Sequence, residues 1–369
     1  MAGGFQEKLQ GIIAKLSSSL SGFGGSSGGA SCVGLSIGSS SIKIVELKKE
    51  GKGWRLLHFG SVQLPDNAIS NQEIVNPVAV TDSLKALTSQ IKLKSSKVCT
   101  SLTGSSLIIK RILLDVPNMR ELQEQVMWEA EQYLPFEISQ VAIDYQVLSK
   151  SKDNKVDLLL VAVKDSILES YRNCVTEGGL QPKVIDVDFF AIHNLFEANY
   201  PQNPSEATAL VDIGASSLKL VVSHAGIPVF TKETLIGGRN LTAEIQRQMN
   251  LPYGDAETLK VGGQAGGMPQ EVSDLMTIMT ENFANEIKKS IDFYNASATG
   301  APVTSIILSG GSSKIPNLSK TVEENVNLPT QLINPFNVIS YDSGVFTPEY
   351  IAAVAPIAAI PIGLAMRMG

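Results

Sequence analysis

The chain has 369 residues, 43% of them hydrophobic and 18% charged, with a formal net charge of −6. That is more chain than one hydrophobic core usually holds, so two domains or a pair of related halves are expected. An acidic chain without a dense Lys/Arg run argues against nucleic acid as a partner, because such a surface needs concentrated cations to neutralise phosphates.

Phe5, Leu9, Ile12, Ile13, Leu16 and Leu20 form the apolar stripe of an amphipathic helix. SGFGGSSGGAS follows as a flexible tether, so residues 1–31 read as a unit of their own. This start lacks the charged n-region and continuous apolar core of a signal peptide. Such a helix could lie on a membrane surface, dock on a protein or stay disordered, and Lys8 and Lys15 against Glu7 give it little attraction for anionic lipid. Cys32, Cys99 and Cys174 are far apart and outside any C-x-x-C spacing, so neither a disulfide framework nor a zinc site is suggested, and a reducing cytosol fits best. His58, His193 and His224 stand alone and read as ordinary surface or core histidines.

LSIGSSSIKIVEL, at 35–47, is an apolar strand, a small Gly/Ser turn and a second alternating strand carrying a lysine. GWRLLHFGSVQLP adds a strand, and Thr81 to Gln90 reads as a helix with Asp82 and Ser83 suited to its start. Strands follow at VCTSLTG and LIIKRILLDVP. A helix over Met119 to Leu134, with Leu122, Val126, Ala130 and Tyr133 on one face, is stopped by Pro135. VAIDYQVL and VDLLLVAV alternate as strands around a polar turn, and Asp165 opens a helix to about Glu177. Residues 96–177 thus look like a βαββα-type insertion, and insertions of that size usually carry partner recognition. PKVIDVDFFAIHNLF is a strand entering a helix, and PQNPSEA is a hinge.

At 211–223 the first hairpin is written again as VDIGASSLKLVVS, with Asp212 where the first copy has Ser36. IPVFTKETL is a strand, GGRN leads into a helix at 240–250, and the Gly-rich stretch 261–272 reads as an exposed loop. A helix at 273–298 precedes IILSGGSSKIP, a buried strand entering a Gly-Gly-Ser turn. Tyr350 to Met366 is almost wholly apolar. Pro356 and Pro361 leave it short of the ~20 residues a bilayer needs, so a buried Ala/Gly-rich core helix is expected.

Two hairpins with polar tips full of backbone N–H groups would grip a polyphosphate from both sides. A strand-Gly-Gly turn alone is a weak signal, and a plain βα turn explains it as well. The order of hairpin, insertion, second hairpin, Gly-Gly turn and apolar terminal helix resembles the actin-like ATPase superfamily, from about residue 31 to the end. No Walker-type G-x-x-x-x-G-K-[ST] is present. WEAEQYLPFEISQVAIDYQVL, IGSSSIKIVEL and IPIGLAMR are similar, more narrowly, to the type IV pilus assembly family PilM.

The resemblance implies an α/β, actin-like ATPase fold of two related, ribonuclease H-like halves with an FtsA-type subdomain inserted in the first. The first half would be 32–95 plus 178–203, the insertion 96–177, and the second half 204–369, with 240–300 as its smaller subdomain. It implies ATP and Mg2+ as cofactors. By position, Gly38, Ser39, Ser40, Ser41 and Lys43 would hold phosphates from one side and Gly214, Ala215, Ser216 and Ser217 from the other. Asp212 would hold magnesium through water. Gly237 and Gly238 would lie near the ribose, Gly310, Gly311 and Ser312 under the adenine and α-phosphate, and Glu286 and Lys289 at the ribose hydroxyls. A solvated helix face is the plainer reading of Glu286 and Lys289. No catalytic residue is assigned: Ser36 is neutral where most of the superfamily places an acid, so hydrolysis is expected to be slow or absent.

The resemblance further implies pilus biogenesis and twitching motility. The place is the cytosolic face of the bacterial inner membrane, and the partner is the N-terminal cytosolic tail of PilN, docked in a groove beside the insertion. Other proteins of the pilus inner-membrane complex, self-association and peripheral membrane contact are compatible with it. Competing readings are an actin-fold small-molecule kinase, with Asp186 or Asp188 as base unless both are a structural corner, and an FtsA-like membrane-associated filament protein.

Overall fold

A computed structural model describes residues 31–104, 107–151, 153–262, 267–297 and 300–369. The expected N-terminal helix, its tether and part of the 261–272 loop lie outside them.

In the first half, β1 (Ser31–Ile37), β2 (Ser41–Glu50) and β3 (Gly53–Gln63) form an antiparallel meander. A short ribbon, β4 (Ile69–Ser70) and β5 (Glu73–Ile74), leads to helix α1 (Pro77–Gln90). The helix begins earlier than Thr81 because the Asn76 side chain accepts the Ala79 N–H at 3.1 Å and Pro77 pre-sets the first turn. Strand β6 (Lys97–Leu102) then runs parallel to β1.

Next come β7 (Leu107–Asp115), α2 (Leu122–Glu131), β8 (Val141–Lys150) and β9 (Lys155–Lys164). They make a three-stranded antiparallel sheet in the order β7-β9-β8, with its own small core around Val126, Ala130, Leu158 and Leu160. Helix α2 stops short of Leu134, since the residue before Pro135 is barred from helical backbone. Helix α3 (Asp165–Glu177), strand β10 (Gln181–Val187) and helix α4 (Asp188–Asn199) return the chain to the first half.

The second half is built from β11 (Ala207–Ile213), β12 (Leu218–His224), β13 (Ile227–Thr234), α5 (Gly238–Met249), α6 (Tyr253–Lys260) and α7 (Gln270–Ser297). It continues through β14 (Val303–Ser309), α8 (Leu318–Val326) and β15 (Thr330–Leu332). Strand β16 (Ile339–Ser340) and helices α9 (Pro348–Val354) and α10 (Ala359–Met366) follow.

The larger sheets have the orders β10-β6-β1-β2-β3-β16 and β13-β12-β11-β14-β15. Set β16 aside and read the first in reverse, and both halves show the same order. In each, two antiparallel neighbours lie on one side of the leading strand and two parallel ones on the other. The repeated hairpins occupy equivalent places in two related halves.

Three expected boundaries shift. Strand β6 lies inside the first large sheet, and α3 buries Tyr171, Cys174 and Val175 in that sheet's core, so the inserted unit narrows from 96–177 to 107–164. Nor does 204–369 form the second half throughout. Ile339 pairs with Trp54 of β3, and α10 lays Ile362, Leu364 and Ala365 into a core shared with Val45, Leu47 and Ala191. This docking is backbone on backbone: a Cβ on Gly34 would run into the Pro361 carbonyl, and one on Gly363 into that of Ala191. Helices α5, α6 and α7, expected as a smaller subdomain, share one apolar core with the five-stranded sheet through Ile245, Leu259 and Phe283.

The single helix expected at Tyr350 to Met366 is two, bent by 82° at a break next to Pro356, which has no N–H to continue the ladder. Among the described residues no single helix is long and apolar enough to cross a membrane.

Candidate functional site

The two repeated turns meet. Gly38 N–H donates to the Ser41 carbonyl at 3.0 Å and Gly214 N–H to that of Ser217 at 2.9 Å, so both close in the same way. Ser216 Oγ donates to Ser39 Oγ at 2.7 Å across the junction of the halves. Arg239, in the first turn of α5, donates from Nη2 to the Ser39 carbonyl at 2.8 Å.

Behind the tips, strand register sets Ser36 opposite Lys43 and Asp212 opposite Lys219. Lys219 Nζ lies 3.1 Å from Asp188 Oδ2 and 3.7 Å from Asp212 Oδ2, and all three side chains are buried. Ser101 Oγ donates to Asp188 Oδ1 at 2.5 Å, and Ser309 Oγ to Asp212 Oδ1 at 3.0 Å. Burial alone would lower the Lys219 pKa, but the carboxylates of Asp188, Asp212 and Glu233 outweigh it and hold the ammonium above its ordinary range. Lys43 donates to Ser41 Oγ at 2.8 Å; burial holds its pKa below the usual lysine value while Asp212 pulls the other way.

The structure separates Asp186 from Asp188. Asp186 is the structural corner, accepting from Arg367 Nε at 3.2 Å and from Val187 N–H at 2.8 Å. Asp188 opens α4 at the C-terminal end of β10 and belongs to the site. An acid at that end of a parallel strand, opening a helix, was the available signal. Glu233 was missed altogether. It accepts from Ser217 Oγ at 2.7 Å, from Thr103 Oγ1 at 3.3 Å and from Gly104 N–H at 3.0 Å, joining the second hairpin to the loop that enters the insertion.

The glycines act differently from expectation. Gly310 has φ +89°, and a Cβ there would sit 2.5 Å from the Ile213 carbonyl oxygen. A Cβ on Gly237 would lie 2.5 Å from the Ala215 carbonyl oxygen, and one on Gly238 2.5 Å from Ser312 Oγ. These glycines let three loops press together; Gly311 alone of the four faces open space. Gly238 N–H and Ser312 Oγ both donate to the Gly214 carbonyl, at 3.0 and 2.9 Å, making one preformed wall.

Glu286 and Lys289 do not join that wall. Glu286 accepts from Lys232 Nζ at 3.1 Å and Thr234 Oγ1 at 3.2 Å, on the face of β13 opposite Glu233, and Lys289 is exposed. The acid and lysine beside Gly238 come instead from α6. Lys260 Nζ donates to the Gly238 carbonyl at 3.3 Å, to Thr242 Oγ1 at 2.9 Å and to Glu257 Oε2 at 2.6 Å.

A second concavity, of about 280 Å³, runs between the inserted sheet and the first half. Leu159, Val161 and Val163 of β9 form one wall and Val184 and Phe190 the other, with Arg172 and Lys183 also lining it. Strands β8 and β10 are the edges of their sheets, and both contribute consecutive residues to the lining. Asp144 of β8 accepts the Tyr145 N–H on Oδ1 at 2.8 Å, while Oδ2 is buried without a partner; burial pushes its pKa up to about 6.

Duplicated halves, facing hairpins and a loop-built wall beside them define an actin-like ATPase fold. The ethanolamine utilization protein EutJ from Carboxydothermus hydrogenoformans shares that fold, with a TM-score of 0.57 at 13% identity over 92% of this chain and 90% of that one. A structure of the PilM-PilN type IV pilus biogenesis complex matches with a TM-score of 0.83 at 25% identity, covering 92% of this chain and 98% of that chain. The family model for type IV pilus assembly protein PilM spans residues 34–369, and the chain belongs to this family.

Proposed function

We propose that this protein is an ATP-binding, actin-like scaffold of type IV pilus assembly at the cytosolic face of the inner membrane. Its groove between the inserted sheet and β10 takes the N-terminal cytosolic tail of PilN. The observation that carries this is a groove with two open strand edges and apolar walls. An extended tail adds to an edge through its main chain and sets alternate side chains against Leu159, Val161 and Phe190. The test is a titration of the full chain with a peptide of the PilN tail. Saturable binding abolished by Val161→Arg supports the reading, and no binding with or without ATP overturns it.

The facing hairpins fit a polyphosphate, with Lys43 and Arg239 as cations and the turn amides of 39–40 and 215–216 as donors, since those of Gly38 and Gly214 close the turns. Glu257 and Lys260 replace Glu286 and Lys289 as the pair that would reach a ribose, and Asp212 would hold magnesium through water. Among the described residues no three His, Cys, Asp or Glu side chains could hold a metal by themselves, which suits an ion carried in with phosphate. Mg-ATP, when bound, would bring the negative charge that the Lys43 ammonium and the Arg239 guanidinium could pair with. Turnover should be slow or absent, because Ser36 is neutral and the Asp188 carboxylate is already engaged by Lys219 and Ser101. The same engagement makes Asp188 a poor free base for a small-molecule kinase. Fluorescent-ATP binding lost in Asp212→Ala, with phosphate release no faster than in that variant, is the expected result; release well above it refutes slow turnover.

A further inference from the structure

The groove carries one feature that apolar docking does not use. We infer that Asp144 selects the docked tail, requiring a hydrogen-bond-donating side chain, an amide or a cation, where that otherwise apolar segment passes β8. The inference rests on the docking reading above and specifies the chemistry of its partner.

Alternation along β8 sends Ile143, Tyr145 and Val147 to the core under α2, which leaves Asp144 on the groove side. Its cross-strand neighbour is Val161, flanked by Leu159 and Val163, so the carboxylate stands on an apolar wall. One oxygen takes the adjacent Tyr145 N–H, and the other is buried with no donor. The cations around the groove do not fill that place. Arg367 is near enough to act on Asp144 electrostatically but donates to Asp186, Arg172 lies 3.5 Å from Glu169, and Lys183 lines the opposite wall. Buried polar atoms are almost always paired, so a buried acceptor left without a donor on a residue that lines a docking groove marks where the partner brings one. A desolvated acceptor also rejects a tail without one, because both then stay unpaired.

The experiment is a binding cycle with the full chain. The probes are the cytosolic N-terminal peptide of the PilN from the same organism and versions with each Arg, Lys, Asn or Gln replaced singly by norleucine. One replacement is expected to weaken wild-type binding at least tenfold yet change nothing further in Asp144→Ala. Asp144→Asn then assigns the donor: a cation loses about as much as with alanine, whereas an amide is retained. Melting temperatures and ATP affinity of both variants are expected to match wild type. If the peptide binds and every replacement costs the same in wild type and Asp144→Ala, the selection inference fails while docking stands. If the wild type binds no peptide, the docking reading fails and takes this one with it.

Discussion

Replacing Lys219 by methionine keeps the length of the side chain and removes the ammonium that lies 3.1 Å from Asp188 and 3.7 Å from Asp212. Both carboxylates would remain buried, each with one hydroxyl donor, from Ser101 and Ser309. Removing one partner of a buried ion pair costs about 3–5 kcal/mol, because the remaining charge can neither pair nor hydrate. In a chain of this size that corresponds to a fall in Tm of roughly 4–7 °C. Differential scanning fluorimetry measures it, and adding Asp188→Asn to Lys219→Met should restore much of the loss. A variant melting within about 2 °C of wild type would refute the buried triad as described.

Gly363→Ala should lower Tm and unseat α10, since the new methyl meets the Ala191 backbone; overpacking costs about 1–3 kcal/mol where side chains can yield, and more where they cannot. Gly310→Ala forces a Cβ into a positive-φ turn pressed on the Ile213 carbonyl and should weaken ATP binding at least tenfold, read by fluorescent-nucleotide titration. His193, buried on α4 with Nε2 unpaired, has its pKa pushed down by burial to about 4. Its contribution is full above the ordinary pKa of about 6.5 and is lost as pH falls toward 4, on the order of 3 kcal/mol; His193→Leu should flatten that acid limb in urea titrations.

The hairpin repeat was legible because it is local: one strand-turn-strand pattern written twice gave both turns, and their facing followed from the resemblance. Glu286 and Lys289 show what local pattern cannot decide. The spacing E-x-x-K occurs at Glu257 to Lys260 on α6 and again at Glu286 to Lys289 on α7. Both are i,i+3 pairs on a helix face, and only the docking of α6 beside Gly238 separates them. Strand β6 and helix α3 were readable as elements, but whether they belong to the insertion is a matter of pairing with β1 and β10. Glu233 carries no signature, because its role depends on loops from both halves meeting at β13.

The return of β16 and α10 to the first half bears on how the chain is made. Until residues 359–366 have left the ribosome, β1, β2 and α4 lack the apolar side chains that roof them. The first half, begun first, is therefore completed last, and its exposed face must be kept from aggregating while the second half folds. Expressing residues 31–203 alone should give aggregated protein. A soluble first half requires 333–369 to be joined to it, and such a fusion would isolate the groove for structural work.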